Sequence, residues 1–201
     1  VPASKPLKIA VTGPPASGKS TVLKIFAEMG FPTFSADAVV HELSRPCQPG
    51  YHEVVARLGR RFLRPDGTLD RRALLEAMLE EPEVKGTLEA IFHPLVKERL
   101  EDWFRKHERE PLLVAEIPLL YQAGWDDLFD LVIFVNAPQD LLLKRLEERL
   151  KEGHLAQRLL ASYQVGPAGD LVLDSSRPIE EIRGKLLDFI KDRIPGNLVG
   201  L

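Results

Sequence analysis

The chain has 201 residues, 44% of them apolar and 28% charged, with a net charge of −3. That composition excludes a disordered or fibrous chain and suits one sizeable α/β core with a smaller insertion. The mild net acidity excludes a broad nucleic-acid footprint, so any anion site must be a local cluster.

"LKIAVTG" (7–13) is a short apolar run closed by a glycine and reads as a buried parallel strand. From Lys19 onward, Val22, Ile25, Phe26 and Met29 recur at helical spacing, with Gly30 as the C-terminal stop. "FPTFSAD" reads as a second strand ending at Asp37. The single cysteine, Cys47, lies in a proline-rich turn; it permits no intrachain disulfide and suits a reducing compartment. Helical patterns follow. They run through "YHEVVARLGRRF", through "LDRRALLEAMLEE" with Asp70 or Thr68 as N-cap, through "EVKGTLEAIF", and through a separate helix opening at Pro94. Strand signals return at "PLLVAEIPLL" and "FDLVIFVNAP". A charged helix, "PQDLLLKRLEERLKEG", and a basic-leaning segment, "HLAQRLLASYQ", precede a last strand, "GDLVLDSS", and a closing amphipathic helix, "PIEEIRGKLLDFIKDRI".

Strands alternating with helices predict a three-layer α/β/α fold around a parallel sheet. The helical block interrupts that alternation. The expected division is a core of 1–45, 111–137 and 166–201, a helical substrate-side subdomain of 46–110, and a lid of 138–165. No window reaches the roughly 18 apolar residues of a membrane span, and "VPASKPLK" lacks an apolar signal core. The expectation is a cytoplasmic protein with neither a membrane nor a nucleic-acid partner, its oligomeric state unspecified.

Gly13, Pro14, Pro15, Ala16, Ser17, Gly18, Lys19 and Ser20 fit the pattern G-x-x-x-x-G-K-[ST]. The glycines let the backbone curl so that its N–H groups face a phosphate, and the helix that follows adds its positive end. In this pattern Lys19 neutralises the β- and γ-phosphates of a nucleoside triphosphate, and the Ser20 hydroxyl ligates Mg²⁺. Pro14 and Pro15 have no N–H, so the amides from Ala16 to Thr21 must form the cradle. The strand before the loop and the amphipathic helix after it supply the context the motif requires.

Asp37, ending the second strand and so facing the crevice beyond the sheet, suits a base that takes the proton of an acceptor hydroxyl or a ligand to an Mg²⁺-bound water; it suits equally the start of the helix "AVVHEL". Glu116 follows the apolar strand "LLVA", where P-loop proteins hold an acid near Mg²⁺. Arg71 and Arg72 directly follow a helix cap. There the positive helix end disfavours them, and a bound polyanion would reverse the sign.

"VTGPPASGKST", "SADAVVHEL", "DGTLDRRAL", "HPLV" and "EIPLLYQAGWDDLFDLVIFVNAP" follow one another in an order that resembles the dephospho-CoA kinase family. The resemblance covers residues from about 8 to 193, with "DGTLDRRAL" and the later "HPLV" its specific part. It implies ATP-dependent phosphorylation of the 3′-hydroxyl of dephospho-CoA, the last step of coenzyme A synthesis, with ATP and Mg²⁺ required. It implies that Asp37 is the base, while Ser35 stands where the family has a further acid. It implies substrate-side roles for His41, Arg71, Arg72 and His93, and a lid arginine at Arg149. Arg145 belongs to the same basic group, and both arginines are expected on the ATP phosphates; the same residues read equally as an ion-paired helix surface. Between Arg158 and Gly169 the chain is shorter than the family pattern. "DLVLDSS" matches the segment bordering the adenine.

Two other readings compete. One is a P-loop kinase for a nucleoside or nucleoside monophosphate. The other is a nucleotide-controlled binding module, which the absence of an "NKxD" motif disfavours.

Overall fold

Leu7–Thr12 forms β1, the central strand of a five-stranded sheet ordered β2-β3-β1-β4-β5. The other strands are Thr33–Ser35 (β2), Leu112–Glu116 (β3), Leu131–Asn136 (β4) and Leu171–Asp174 (β5), and every neighbouring pair is parallel. The computed structural model describes residues 5–191, 193 and 194. The reading of the chain's first four residues, and the end of the expected last core segment at 195–201, lie outside them. Parallel neighbours need crossovers, and helices supply them: Lys19–Glu28 (α1), Ala36–Leu43 (α2), Pro49–Leu58 (α3), Arg71–Glu80 (α4), Pro82–Lys106 (α5), Gln139–Leu150 (α6), Gly153–Ala161 (α7) and Ile179–Lys191 (α8). The expected α/β fold with a parallel central sheet is the one observed.

The chain divides into two compact units. One comprises Val1–Ser35 with Trp103–Leu201 and contains the sheet; the other, Ala36–Asp102, is helical. In the sheet unit, Ile9, Val11, Val114, Ile133 and Val135 pack with Val22, Ile25 and Phe26 of α1 and with Leu186 and Ile190 of α8. Ala10, Leu113 and Ala115, which alternate with them along the strands, are fully buried as well. Burial on both faces explains why the central strands read as continuous apolar runs.

α1 ends at the predicted glycine. Gly30 has φ 85°, its N–H donates to the Ala27 carbonyl, and the Phe31 N–H donates to Phe26 at 3.1 Å. That is a Schellman motif, and the Phe26–Phe31 edge contact supplies its apolar clasp.

The helical unit holds two small clusters. Val54, Leu69 and Ile91 centre one; Phe62, Ala77 and Val84 centre the other. Of the two capping candidates for α4, Asp70 takes the role: its carboxylate accepts from the N–H groups of Arg72 and Ala73, each at 3.1 Å. Thr68 instead donates to Asp66 through its N–H and its hydroxyl. Those two bonds hold the Asp66 carboxyl below its ordinary value. Asp70→Ala is expected to lower the stability of the helical unit by about 1 kcal/mol, read as a shift in its denaturant midpoint.

Two expectations need correction. β2 stops at Ser35, and Asp37 lies in the first turn of α2 rather than at a strand end. The residues 82–106 form one helix, not two, with Pro94 inside it. Proline removes one main-chain donor and disfavours a helix interior. Here its ring is exposed, while Ile91, Val96 and Leu100 on either side of it are buried, and that burial outweighs the local cost.

Candidate active site

The carboxyl ends of β1, β3 and β2 meet in register: Val11 lies opposite Glu116, and Ser35 lies opposite Glu116 on the other side. In an open parallel sheet, ligands bind beyond these ends. The loop 13–18 leaves β1 here and turns directly into α1.

Two glycines make this turn possible. Gly13 has φ 146°, and a β-carbon there would lie 2.0 Å from the Val135 carbonyl oxygen. Gly18 has φ 92°, and its β-carbon would come within 3.1 Å of the Ser175 side chain. A β-carbon cannot fit at Gly13, and at Gly18 both the positive φ and the tight Ser175 contact disfavour one. Ala16 also has a positive φ, 61°. The Ser17 hydroxyl is fully buried and has no hydrogen-bond partner among the described residues. A buried hydroxyl left in that state is costly, and such a group in a concave loop marks a place prepared for a polar ligand.

Lys19 is buried, and its ammonium is held over the loop: Nζ donates to the carbonyls of Gly13 at 3.0 Å and Pro14 at 2.8 Å. Ser20 and Thr21, at the start of α1, are exposed. A curled loop with one buried cation and a helix N-terminus behind it can bind a polyphosphate.

Glu116 is buried at the end of β3 and accepts from the Ser35 hydroxyl at 3.2 Å. Ser35 therefore serves as a donor to this buried carboxylate. No cluster of three or more His, Cys, Asp or Glu suited to a metal occurs among the described residues. A site made of one hydroxyl, one carboxylate and the oxygens of a bound triphosphate needs no such cluster, and Ser20 and Glu116 fit that donor set.

The predicted residues sort by unit. The loop, Lys19, Ser20, Thr21, Glu116, Arg145 and Arg149 belong to the sheet unit; Asp37, His41, Arg71, Arg72 and His93 belong to the helical unit. Asp37 and His41 are exposed on α2. Arg71 is exposed, and Arg72 pairs with Glu76 at 2.9 Å, one turn along α4. His93 is half-buried on α5. Arg149 is exposed in the last turn of α6. Arg145 is half-buried, and its guanidinium donates to Ser175 and to the Ala16 carbonyl.

Three residues carry no role of their own in the sequence, although Ser175 lies within the segment matched to the adenine border. Ser175 follows β5 and meets the phosphate loop. Gln122, to which no role was attached, donates to the Gln164 carbonyl at 2.8 Å. Tyr163 shares a hydrogen bond with the Thr12 side chain; burial pushes its phenol up and that bond opposes the shift. Gly166 lies so close to the Tyr121 ring that a β-carbon would come within 2.0 Å. The return segment after α7 is thus fastened beside the loop that follows β3. Only a serine, a glutamine and a tyrosine in unremarkable surroundings announce these contacts.

The family model described as "Dephospho-CoA kinase" matches residues 7–165. The chain belongs to the dephospho-CoA kinase family. A dephospho-CoA kinase of Moorella thermoacetica is 40% identical over 177 residues, 80% of this chain and 83% of its own. A solved structure from Thermus thermophilus superposes with a TM-score of 0.77 at 27% identity, covering 94% of this chain and 99% of that one. The dephospho-CoA kinase from Campylobacter jejuni superposes with a TM-score of 0.58 at 25% identity, covering 94% and 98%. The chain is therefore a kinase, a phosphotransferase with the P-loop fold. The family match takes in the loop, Asp37, the helical unit and the α6 arginines; β5 with Ser175 lies beyond its end. No helix is long and apolar enough to cross a membrane among the described residues.

Proposed function

We propose that this kinase transfers the γ-phosphoryl group of ATP to the 3′-hydroxyl of dephospho-CoA, giving coenzyme A and ADP in the cytoplasm. The observation that supports this reading most is the loop 13–18. Its glycines sit at positive φ with little or no room for a β-carbon, its Ser17 hydroxyl has no hydrogen-bond partner among the described residues, and its lysine is held over the cradle.

In this reading the amides of Ala16–Thr21 and the Lys19 ammonium bind the β- and γ-phosphates. They stabilise the charge that gathers on the bridging oxygen as the bond to the γ-phosphorus lengthens. A Mg²⁺ ion bound with the triphosphate would neutralise charge on the same oxygens, held by the Ser20 hydroxyl and, through water, by Glu116. Ser35 keeps the Glu116 carboxylate oriented. Asp37 orients the acceptor hydroxyl and takes its proton as the new P–O bond forms. Arg149, at the exposed end of α6, stabilises the equatorial oxygens of the transferred group. His41, Arg71, Arg72 and His93 bind the acceptor, the arginines toward its diphosphate.

The test is ADP release measured with and without dephospho-CoA. A rate that rises with dephospho-CoA and saturates is expected. A rate no higher than the acceptor-free background, or one raised more by a nucleoside or nucleoside monophosphate, would refute the proposal.

A further inference from the structure

A single guanidinium ties the phosphate loop to the end of the sheet. Arg145 lies on α6 beside the buried Leu142 and Leu146. Its Nη1 donates to the Ser175 hydroxyl at 2.8 Å and to the Ala16 carbonyl at 3.3 Å; its Nη2 donates to the Ser175 carbonyl at 3.1 Å. Ser175 is itself fixed, since its N–H donates to the Asn136 carbonyl, at the end of β4, at 2.8 Å. Its side chain backs directly onto Gly18, and Ala16 is the loop residue held at φ 61°. Three donor contacts of the fork are therefore made to protein, and one of them grips the peptide that non-glycine residues resist forming.

From this geometry we infer that Arg145 is a positioning residue. It holds the Ala16–Ser17 peptide against the wall formed by Ser175, so that the amides that follow face the phosphates. The inference rests on the kinase reading only in taking the loop as the triphosphate site. It assigns Arg145 a part different from a direct phosphate contact, and it brings Ser175 into the machinery. A lysine could not substitute, because an ammonium cannot span Ala16 and Ser175 with the planar spacing of a guanidinium.

The test measures binding of ATP and of inorganic tripolyphosphate, each with Mg²⁺, by calorimetry on the full chain without acceptor. The variants are R145A, R145K, S175A and the double R145A/S175A. R145A is expected to weaken both probes by the same factor, about 10- to 100-fold for a lost charge-assisted contact set. R145K should not restore binding. S175A should weaken both probes less, and the double variant should bind no worse than R145A, as for two groups acting through one another. In turnover, KM for ATP should rise while KM for dephospho-CoA stays put.

Loss of ATP affinity with tripolyphosphate binding intact would overturn the inference, since it would mark a contact to the nucleoside. Full rescue by lysine, or additive effects of the two single variants, would overturn it as well. Should R145A not fold, the direction of the milder S175A decides. A wild-type chain that binds both probes yet leaves dephospho-CoA unphosphorylated would sink the proposed function and leave this inference standing.

Discussion

Asp37→Asn is expected to lower kcat by about 10²- to 10⁴-fold, the range for removing a positioned general base. KM for ATP should stay within a small factor of wild type. The reasoning separates two jobs that one carboxylate can do. Asp37 is exposed in the first turn of α2, where a negative charge meets the positive helix end. That placement is worth only about 0.3–1 kcal/mol, and asparagine retains an acceptor oxygen there. Stability should therefore barely move, and thermal melting of the variant checks this. If kcat stays normal while the melting midpoint falls, Asp37 is a helix-start residue and nothing more. If ATP affinity falls at normal turnover, its role is in binding. The variant tests the helical unit's contribution to the chemistry, because every nucleotide-side residue belongs to the other unit.

What the sequence made legible was what is encoded locally. β1, the loop and α1 occupy one continuous stretch, so the glycines at 13 and 18, the lysine and the apolar spacing of Val22, Ile25, Phe26 and Met29 carry their own interpretation. Gly30 stops α1 with a motif closed within six residues. The boundary between β2 and α2 was not local. "TFS" is a strand because Thr33 and Ser35 pair with Val114 and Glu116, some eighty residues away, and nothing inside "FPTFSAD" marks where that pairing ends. Pro94 misled for a related reason: its local cost is visible in sequence, whereas the burial of Ile91, Val96 and Leu100 that overrides it depends on tertiary packing. The Arg145–Ser175–Ala16 tie spans most of the chain's length and is invisible to any motif. In sequence, Arg145 is one member of a basic helix face. In space, its donors close on the loop, while Arg149, one turn further along α6, remains exposed.

Lys19→Ala should abolish useful catalysis, with kcat/KM for ATP down by about 10²- to 10³-fold at least, the loss seen when one preorganised donor to a developing charge is removed. Two effects add in the same direction. The ammonium is the buried cation of the cradle, and without it the loop itself offers the triphosphate only amide dipoles and the helix end. The ammonium also bridges the carbonyls of Gly13 and Pro14, so its removal deprives the loop of a brace between its first two residues. Lys19→Arg and Lys19→Met separate the charged donor from the bulk of the side chain. Arginine keeps the charge but is bulkier, and should recover some ATP affinity with little turnover. Methionine keeps much of the side chain's bulk and loses the charge, and should melt near wild type while binding ATP as poorly as the alanine variant. A methionine variant that binds ATP normally would show that the loop needs neither the charge nor the ammonium's bonds to the two carbonyls from this position. The cradle would then rest on backbone geometry alone, with Gly13 held against the Val135 carbonyl as its foundation.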